Sequence, residues 1–481
     1  MAQPKTTAFS ACIVGLFLLF VFWDEWMVRM NMRRISGRQI LLLLCLLPFI
    51  FNSAPQSSDL ALIKLDKQVV AKIPPAYLRR IKGLEELQAC WVAEVPEGVL
   101  SALAERGISC QVLDSSPAGK KYFLVFTPQP GQAGILKKFG NVVSLDDLNC
   151  LFWSDADEAR EVLPAEFEIK RLSLENARPL VFEPPSAQSP FSVGRRFPRV
   201  PFVDPLIPVL IGQVSKAELS LDILNLQNFQ TRYASTANCE SAGNFIYNFF
   251  TQLGLPCEYD PFSFSSNRSS RNIVATLRGR TSPQREVIVC AHYDSTSDQP
   301  TWLAPGADDN ASGTAAVMEI ARVLAGYSFD YTIKFICFSA EEWGLYGSKH
   351  YAQEAKGKGE KIIGVINLDM LGYTDQIPED LDVVVNQQSE WLANRYIVMA
   401  GLYGLLDIFK SVNPSLKYSD HSSFWDQGYS AALGIEDYPL KNPYYHRTSD
   451  TFNTLNMDFA VSATKVSLAV AADLAQPISW R

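Results

Sequence analysis

Hydrophobic and polar positions alternate in three different rhythms along this chain. In the first sixty residues there are two dense apolar runs, "FSACIVGLFLLFVFW" (Phe9 to Trp23) and "ILLLLCLLPFIF" (Ile40 to Phe51). The second follows Arg33, Arg34 and Arg38 and precedes "NSAPQSS", which is the basic, apolar, small-polar order of a secretory signal peptide. Residues 1–60 therefore read as a leader. Either it is a signal peptide with translation starting at Met30 or Met32, or its two apolar segments form a membrane anchor. From Ala61 to Asn176 short apolar strands alternate with short amphipathic helices. "CWVAEVPEGVLSALAERGISCQVLD" (Cys90 to Asp114) predicts strand, helix, strand, and "CLFWSDADEAREVLPAEFEIKRLSL" (Cys150 to Leu174) predicts the same order again. Residues 61–176 are thus expected to form a small α+β domain built from a duplicated unit. Residues 177–208 are rich in proline and carry Arg195 and Arg196, as expected of an extended, accessible linker.

From residue 209 to 481 the rhythm lengthens. Phe245, Ile246, Phe249, Phe250 and Leu253 form a helical stripe ended by Gly254. Near-continuous apolar runs follow: "NIVATL", "EVIVCAH", "TIKFICF", "KIIGVINLD" and "AALGIED". They alternate with helical segments over Ala311 to Ala325, Glu390 to Leu406 and Met457 to Ala475. Strands apolar on both faces belong in a sheet covered on both faces. The expected fold is α/β, with a mixed, largely parallel sheet between helices, preceded by the small α+β domain.

Composition narrows the function. The 481 residues carry a net charge of -8, which excludes the basic footprint of a nucleic-acid binder. Nine cysteines fit an exported, periplasmic or secreted protein without demanding a disulfide framework. Cys290 and Cys337 lie in apolar runs and read as buried thiols; Cys239 and Cys257 flank a helix and are candidates to pair. Membrane contact is expected only through the leader, and the sequence leaves the oligomeric state open.

With only four histidines in the chain, the position of each one is informative. In α/β sheets functional groups gather beyond the carboxyl ends of the strands. There the chain reads "AHYDS" (His292, Asp294), "GADDNASG" (Asp308, Asp309), "SAEEWGLYGS" (Glu341, Glu342), "NLDMLG" (Asp369) and "YYHRTSDT" (His446). Taken singly, a strand-end histidine is usually structural and paired acids usually form a solvated turn or a helix start. Together they crowd carboxylates that cannot all stay ionised without cations. Imidazole and carboxylate donors suit zinc. His292 and Asp294, two apart on an extended segment, share a face, so Asp294 is placed to hold the imidazole.

These motifs resemble those of the co-catalytic dinuclear zinc exopeptidases, the family of the bacterial leucyl aminopeptidases, related to glutamate carboxypeptidase and glutaminyl cyclase. The resemblance covers roughly Leu219 to Ala475. It implies two zinc ions per chain: His292 and Asp369 on one, Glu342 and His446 on the other, and Asp309 bridging them with a cis peptide bond to Asn310. It also implies Glu341 as general base toward a metal-bridging water, and Asp308 as a turn or supporting residue. Tyr445 matches an oxyanion-stabilising tyrosine of some members, with Tyr444 as its rival. His421 in "YSDHSSFW" matches a motif near the site, and His350 receives no role. The implied activity is hydrolysis of N-terminal residues from peptide substrates. Two other readings stand beside it: a glutaminyl cyclase on the same fold, and a metal-free receptor-like binding protein. The peptidase-like "DDNASG" and the short segment after the paired glutamates favour hydrolysis, and the full ligand series disfavours the receptor. Phe424, Trp425, Tyr438 and Tyr444 either line an apolar specificity pocket or belong to the core.

Overall fold

Eight strands form the central sheet: β10 (Cys257–Phe264), β11 (Arg268–Leu277), β12 (Ser282–His292), β13 (Tyr331–Phe338), β14 (Lys361–Leu368), β15 (Leu381–Val385), β16 (Ile408–Val412) and β17 (Ala431–Ile435). They are ordered β10-β11-β13-β12-β14-β17-β15-β16. The middle four strands, β13, β12, β14 and β17, run parallel, so their carboxyl ends share one edge. The outer pairs β10/β11, β11/β13 and β15/β17 are antiparallel, and the sheet is mixed as expected. The computed structural model describes residues 60–87, 89–127, 132–156, 158–174, 177–180, 204–265 and 268–478. The expected leader and most of the proline-rich stretch, with Arg195 and Arg196, lie outside the described residues. No described helix is long and apolar enough to cross a membrane.

The sequence explains why β12 is central. It begins with polar "SPQRE" and ends in "VIVCAH", and Val287 to His292 are all buried. Each buried valine or isoleucine contributes about 1.5–3 kcal/mol, and a charge at Val289 would meet no partner on either face. The helix Gly313–Leu324 packs on this strand and is buried at every residue but Arg322. The helix Met457–Ala475 packs beside it, its start capped by Asn456, whose side chain accepts from the Asp458 and Phe459 amides. Cys239 and Cys257 are both free, so the pairing considered from sequence is not made: Cys239 is buried inside the helix Ala237–Gln252, while Cys257 opens β10.

The chain from residue 60 to 180 forms two smaller antiparallel sheets. One has the order β4-β1-β3-β2-β9, from β1 (Leu60–Asp66), β2 (Lys82–Glu86), β3 (Cys90–Pro96), β4 (Gln111–Asp114) and β9 (Arg178–Pro179). The other has the order β6-β7-β5-β8, from β5 (Tyr122–Phe126), β6 (Asn141–Ser144), β7 (Asn149–Trp153) and β8 (Glu168–Leu172). Between β3 and β4 lies the expected helix, Glu97–Ala104. Between β7 and β8 the described residues hold the single 3-10 turn Ala159–Glu161 and no longer helix, and Arg160 and Ala159 are buried there. Pro164, three residues after that turn, cannot donate to a continuing helix.

These sheets share a core with the α/β portion. Tyr418 and Tyr438 pack with Leu62, Leu124 and Leu151, and the Phe126 ring lies 4.7 Å from that of Tyr418. Three buried charges, Lys170, Lys417 and Glu85, meet the more exposed Asp426 in the same contact. Lys170 pairs with Glu85 at 3.1 Å and with Asp426 at 2.7 Å, and Lys417 pairs with Glu85 and with Asp426. Tyr418 donates to the Asn149 side-chain oxygen across it.

Candidate metal centre

The carboxyl edge of the parallel strands gathers the predicted residues. His292 ends β12, Asp369 follows β14 directly, and Glu341 and Glu342 sit in the turn after β13. Asp309 lies in the connection from β12 to the helix Gly313–Leu324, and its peptide bond to Asn310 is cis. His446 is on the long loop after β17.

Their atoms converge in two groups that share one carboxylate. His292 Nε2 lies 3.3 Å from Asp309 Oδ1 and 3.3 Å from Asp369 Oδ1. His446 Nε2 lies 2.9 Å from Asp309 Oδ2 and 3.0 Å from Glu342 Oε2. Each group, His292-Asp309-Asp369 and Asp309-Glu342-His446, offers three donor atoms all within 4.8 Å of one another, and all five residues are buried. Both oxygens of Glu342 and Nε2 of His446 are buried, and that nitrogen faces the Glu342 and Asp309 carboxylates. Such donors crowded together out of water, in a cluster of four carboxylates and two imidazoles counting Glu341, fit a pair of divalent cations.

The electrostatics follow the packing. Burial opposes a charge on Asp309, but hydrogen bonds from His292 and His446 outweigh it and hold the carboxyl well below its usual range. Burial also works against protonated imidazoles, yet Asp369 and Glu341 raise His292, and Glu342 with Asp309 raises His446. Glu341, which faces the adjoining cavity, is pushed well up by burial against the pull of His292.

Supporting contacts fix the ligand-bearing turns. The Asp450 carboxylate accepts the amides of Asp308 (2.9 Å) and Asp309 (3.1 Å). Asp308 turns away from the centre and accepts from the amides of Gly372 and Tyr373 and from Asn442. Ser419 donates to Asp369 Oδ2 at 2.6 Å. Asp294 holds His292 from both its oxygen types: its backbone carbonyl lies 3.1 Å from Nδ1 and its carboxylate 3.6 Å, and the carboxylate also accepts the amides of Glu341 and Glu342. A tight turn carrying two acids needs its amides tied, and that takes the side chain.

Residues 272–471 match the model of peptidase family M28. A leucine aminopeptidase 1 of Paracoccidioides brasiliensis (strain Pb03) is 31% identical over 286 residues, covering 55% of this chain and 72% of that protein. The chain belongs to peptidase family M28. A probable leucine aminopeptidase of Arthroderma otae is 28% identical over 287 residues, covering 56% of this chain and 75% of that protein. Among solved structures, the Legionella pneumophila LapA aminopeptidase superposes on this M28 peptidase with a TM-score of 0.56 at 18% identity, covering 88% of this chain and 100% of that one. That likeness concerns the fold, and its extent takes in the N-terminal sheets as well as the α/β portion.

The remaining candidates of this M28 peptidase fall into place unequally. The Tyr445 ring stacks on His446 with centroids 3.8 Å apart, and its hydroxyl is buried without a partner. Tyr444 instead packs edge-on against Tyr373. His421 is in neither donor group: its Nε2 donates to the Leu416 carbonyl, its ring meets Trp425, and burial pushes its pKa down to about 3. His350 lies near Asp260 at 3.2 Å, away from the centre. Phe424 and Trp425 are core, not pocket. Tyr438 does line the cavity beside the donors, with Met370, Leu416, Leu433, Ile435 and Leu440. Phe126 and Glu168, from the N-terminal sheets, line it too, and sequence reasoning assigned neither of them to the site.

Proposed function

We propose that this chain is an exported zinc-dependent aminopeptidase that removes N-terminal residues from peptides, with apolar first residues preferred. One observation carries the reading: the two oxygens of Asp309 each face a different histidine-carboxylate group. On this reading His292 and Asp369 hold one zinc, Glu342 and His446 the other, and Asp309 both. When bound, the ions supply Lewis acidity for the scissile carbonyl and acidify the attacking water. Glu341 takes a proton from that water and passes it to the leaving amine. The Tyr445 hydroxyl, buried and unpartnered, donates to the developing oxyanion. The wall of Met370, Leu416, Leu433 and Ile435 receives the first side chain. The relatives named leucine aminopeptidases support hydrolysis over cyclisation of glutamine. Export agrees with the leader pattern of residues 1–60, and the N-terminal sheets form a domain joined through the proline-rich segment.

The test is metal content together with a panel of free, acyl-blocked and glutaminyl peptides, with and without chelator. Two zinc ions and chelator-sensitive cleavage of free amino ends are expected. A folded sample without zinc, or one that cyclises glutaminyl peptides and cleaves none, would overturn the reading.

A further inference from the structure

A metal-binding imidazole needs an acceptor for its other ring nitrogen, which fixes the tautomer and the ring plane. His292 finds that acceptor two residues along its own strand end, in the Asp294 carbonyl. His446 finds it in the N-terminal sheets: its Nδ1 donates to the carbonyl of Ala165, 281 residues away. The same carbonyl accepts from Arg160 Nη1 at 3.2 Å, and Arg160 Nε donates at 2.7 Å to the backbone carbonyl of Glu342. One guanidinium thus joins both residues assigned to the second zinc. Arg160 is only 7% exposed, and its cationic charge acts on the Glu342 and Glu168 carboxyls.

The two loops tied in this way adopt backbone that needs support, which the Glu342 turn draws in part from the Asp294 carboxylate. His446 has a φ of 54°, left-handed backbone that a non-glycine residue seldom adopts unsupported. The turn that carries Glu342 has positive φ at Ala340, Gly344 and Leu345. At Gly344 the Arg171 backbone comes so close that an added Cβ would sit 3.2 Å from its nitrogen. From the other side Lys349 clamps this approach, donating to the carbonyls of Arg171 (2.6 Å) and Gly344 (3.1 Å).

We propose that the N-terminal domain is a positioning element of one half of the metal centre: Arg160 and the Ala165 carbonyl orient Glu342 and His446, and only that half weakens when the contact is cut. The inference rests on the ligand set proposed above. It gives the N-terminal domain a part in the working enzyme, whereas a mere cover would leave metal binding untouched.

The test uses full-length protein and reads zinc affinity by competition with a graded chelator. The parent is expected to hold two zinc ions. Arg160→Met should keep one at parental affinity and weaken the other about tenfold to a hundredfold. Arg160→Lys, which keeps the charge but not the planar fork, should recover part of that loss. Lys349→Met loosens the same contact from the α/β side, so it answers the question if Arg160→Met fails to fold. Site identity comes from combination: Arg160→Met should add nothing to Glu342→Gln, whereas with Asp369→Asn it should leave no tight zinc.

A folded Arg160→Met with both zinc ions at parental affinity overturns the inference. So does equal weakening of both ions, and so does turnover that rises while both are retained, which would make the domain a cover. A parent that lacks two zinc ions fails earlier, at the ligand set itself.

Discussion

The two halves of the metal centre share Asp309 but are supported in different ways. His292 and Asp369 sit at or beside the ends of β12 and β14, neighbouring strands of a buried parallel sheet. Glu342 and His446 sit on loops, and their carbonyl and imidazole are held from another part of the chain. Strand ends give precision from the ladder itself, whereas loops must be braced from outside. One half of the candidate centre is therefore placed mainly by the sheet, while the other takes part of its support from the N-terminal sheets.

The widest break in this comparison is Asp309→Asn, which removes the carboxylate common to both halves. Zinc is expected to be lost from both, with turnover falling further than in any other single variant here; metal analysis beside a peptide assay checks it. Next come the adjacent acids. Glu341→Gln should keep both ions and lose turnover by about a hundredfold to ten-thousandfold. Glu342→Gln should weaken the ion of the braced half alone. Zinc loss in the first with retention in the second would exchange their roles.

A smaller effect sharpens the contrast through the brace itself. Glu85→Ala leaves buried Lys170 and Lys417 with Asp426 as their one remaining carboxylate in the network, at an expected cost of about 3–5 kcal/mol. Denaturant unfolding measures it, and a loss below about 1 kcal/mol would mean that the network carries little. The smallest effect is with acid. Burial alone would raise Asp426, but Lys170 and Lys417 outweigh it and hold the carboxyl at about 2, below the ordinary 3.8. Its contribution is therefore present above about pH 4 and fades as the pH falls from 4 toward 2. Melting curves across that window should be steeper in pH for the parent than for Asp426→Asn.

The sheet half was legible in the sequence because its signals are local. "EVIVCAH" and "KIIGVINLD" announce both a buried strand and the candidate ligand at its end. The short strands β15 and β16 were not predicted separately, since "LDVVV" and "IFKSV" are five residues each and "IFKSV" is only partly apolar. The braced half was legible in its ligands but not in its supports. Ala165 acts through a backbone carbonyl, which no residue type advertises. Arg160 sits in "DEARE", which reads as a solvated helix face until the fold buries it. Phe424 and Trp425 were ambiguous because an aromatic pair near a site motif has the same pattern whether it faces a cavity or the core. Asp294 was placed beside His292 by spacing, and only the turn geometry shows that its carboxylate also accepts the amides of Glu341 and Glu342.

The separation of 281 residues between Ala165 and His446 also bears on time. Domains of a growing chain fold in the order in which they are made, and contacts between distant segments form late. The strands of the N-terminal sheets are synthesised long before His446, but their core also takes in Tyr418 and Tyr438. His292, Asp309 and Asp369 likewise precede Ser419 and Asp450, which steady Asp369 and the Asp309 turn. Both halves therefore close only once the C-terminal part of the chain has been made, and Ala165 is among the oldest residues that the His446 loop meets there.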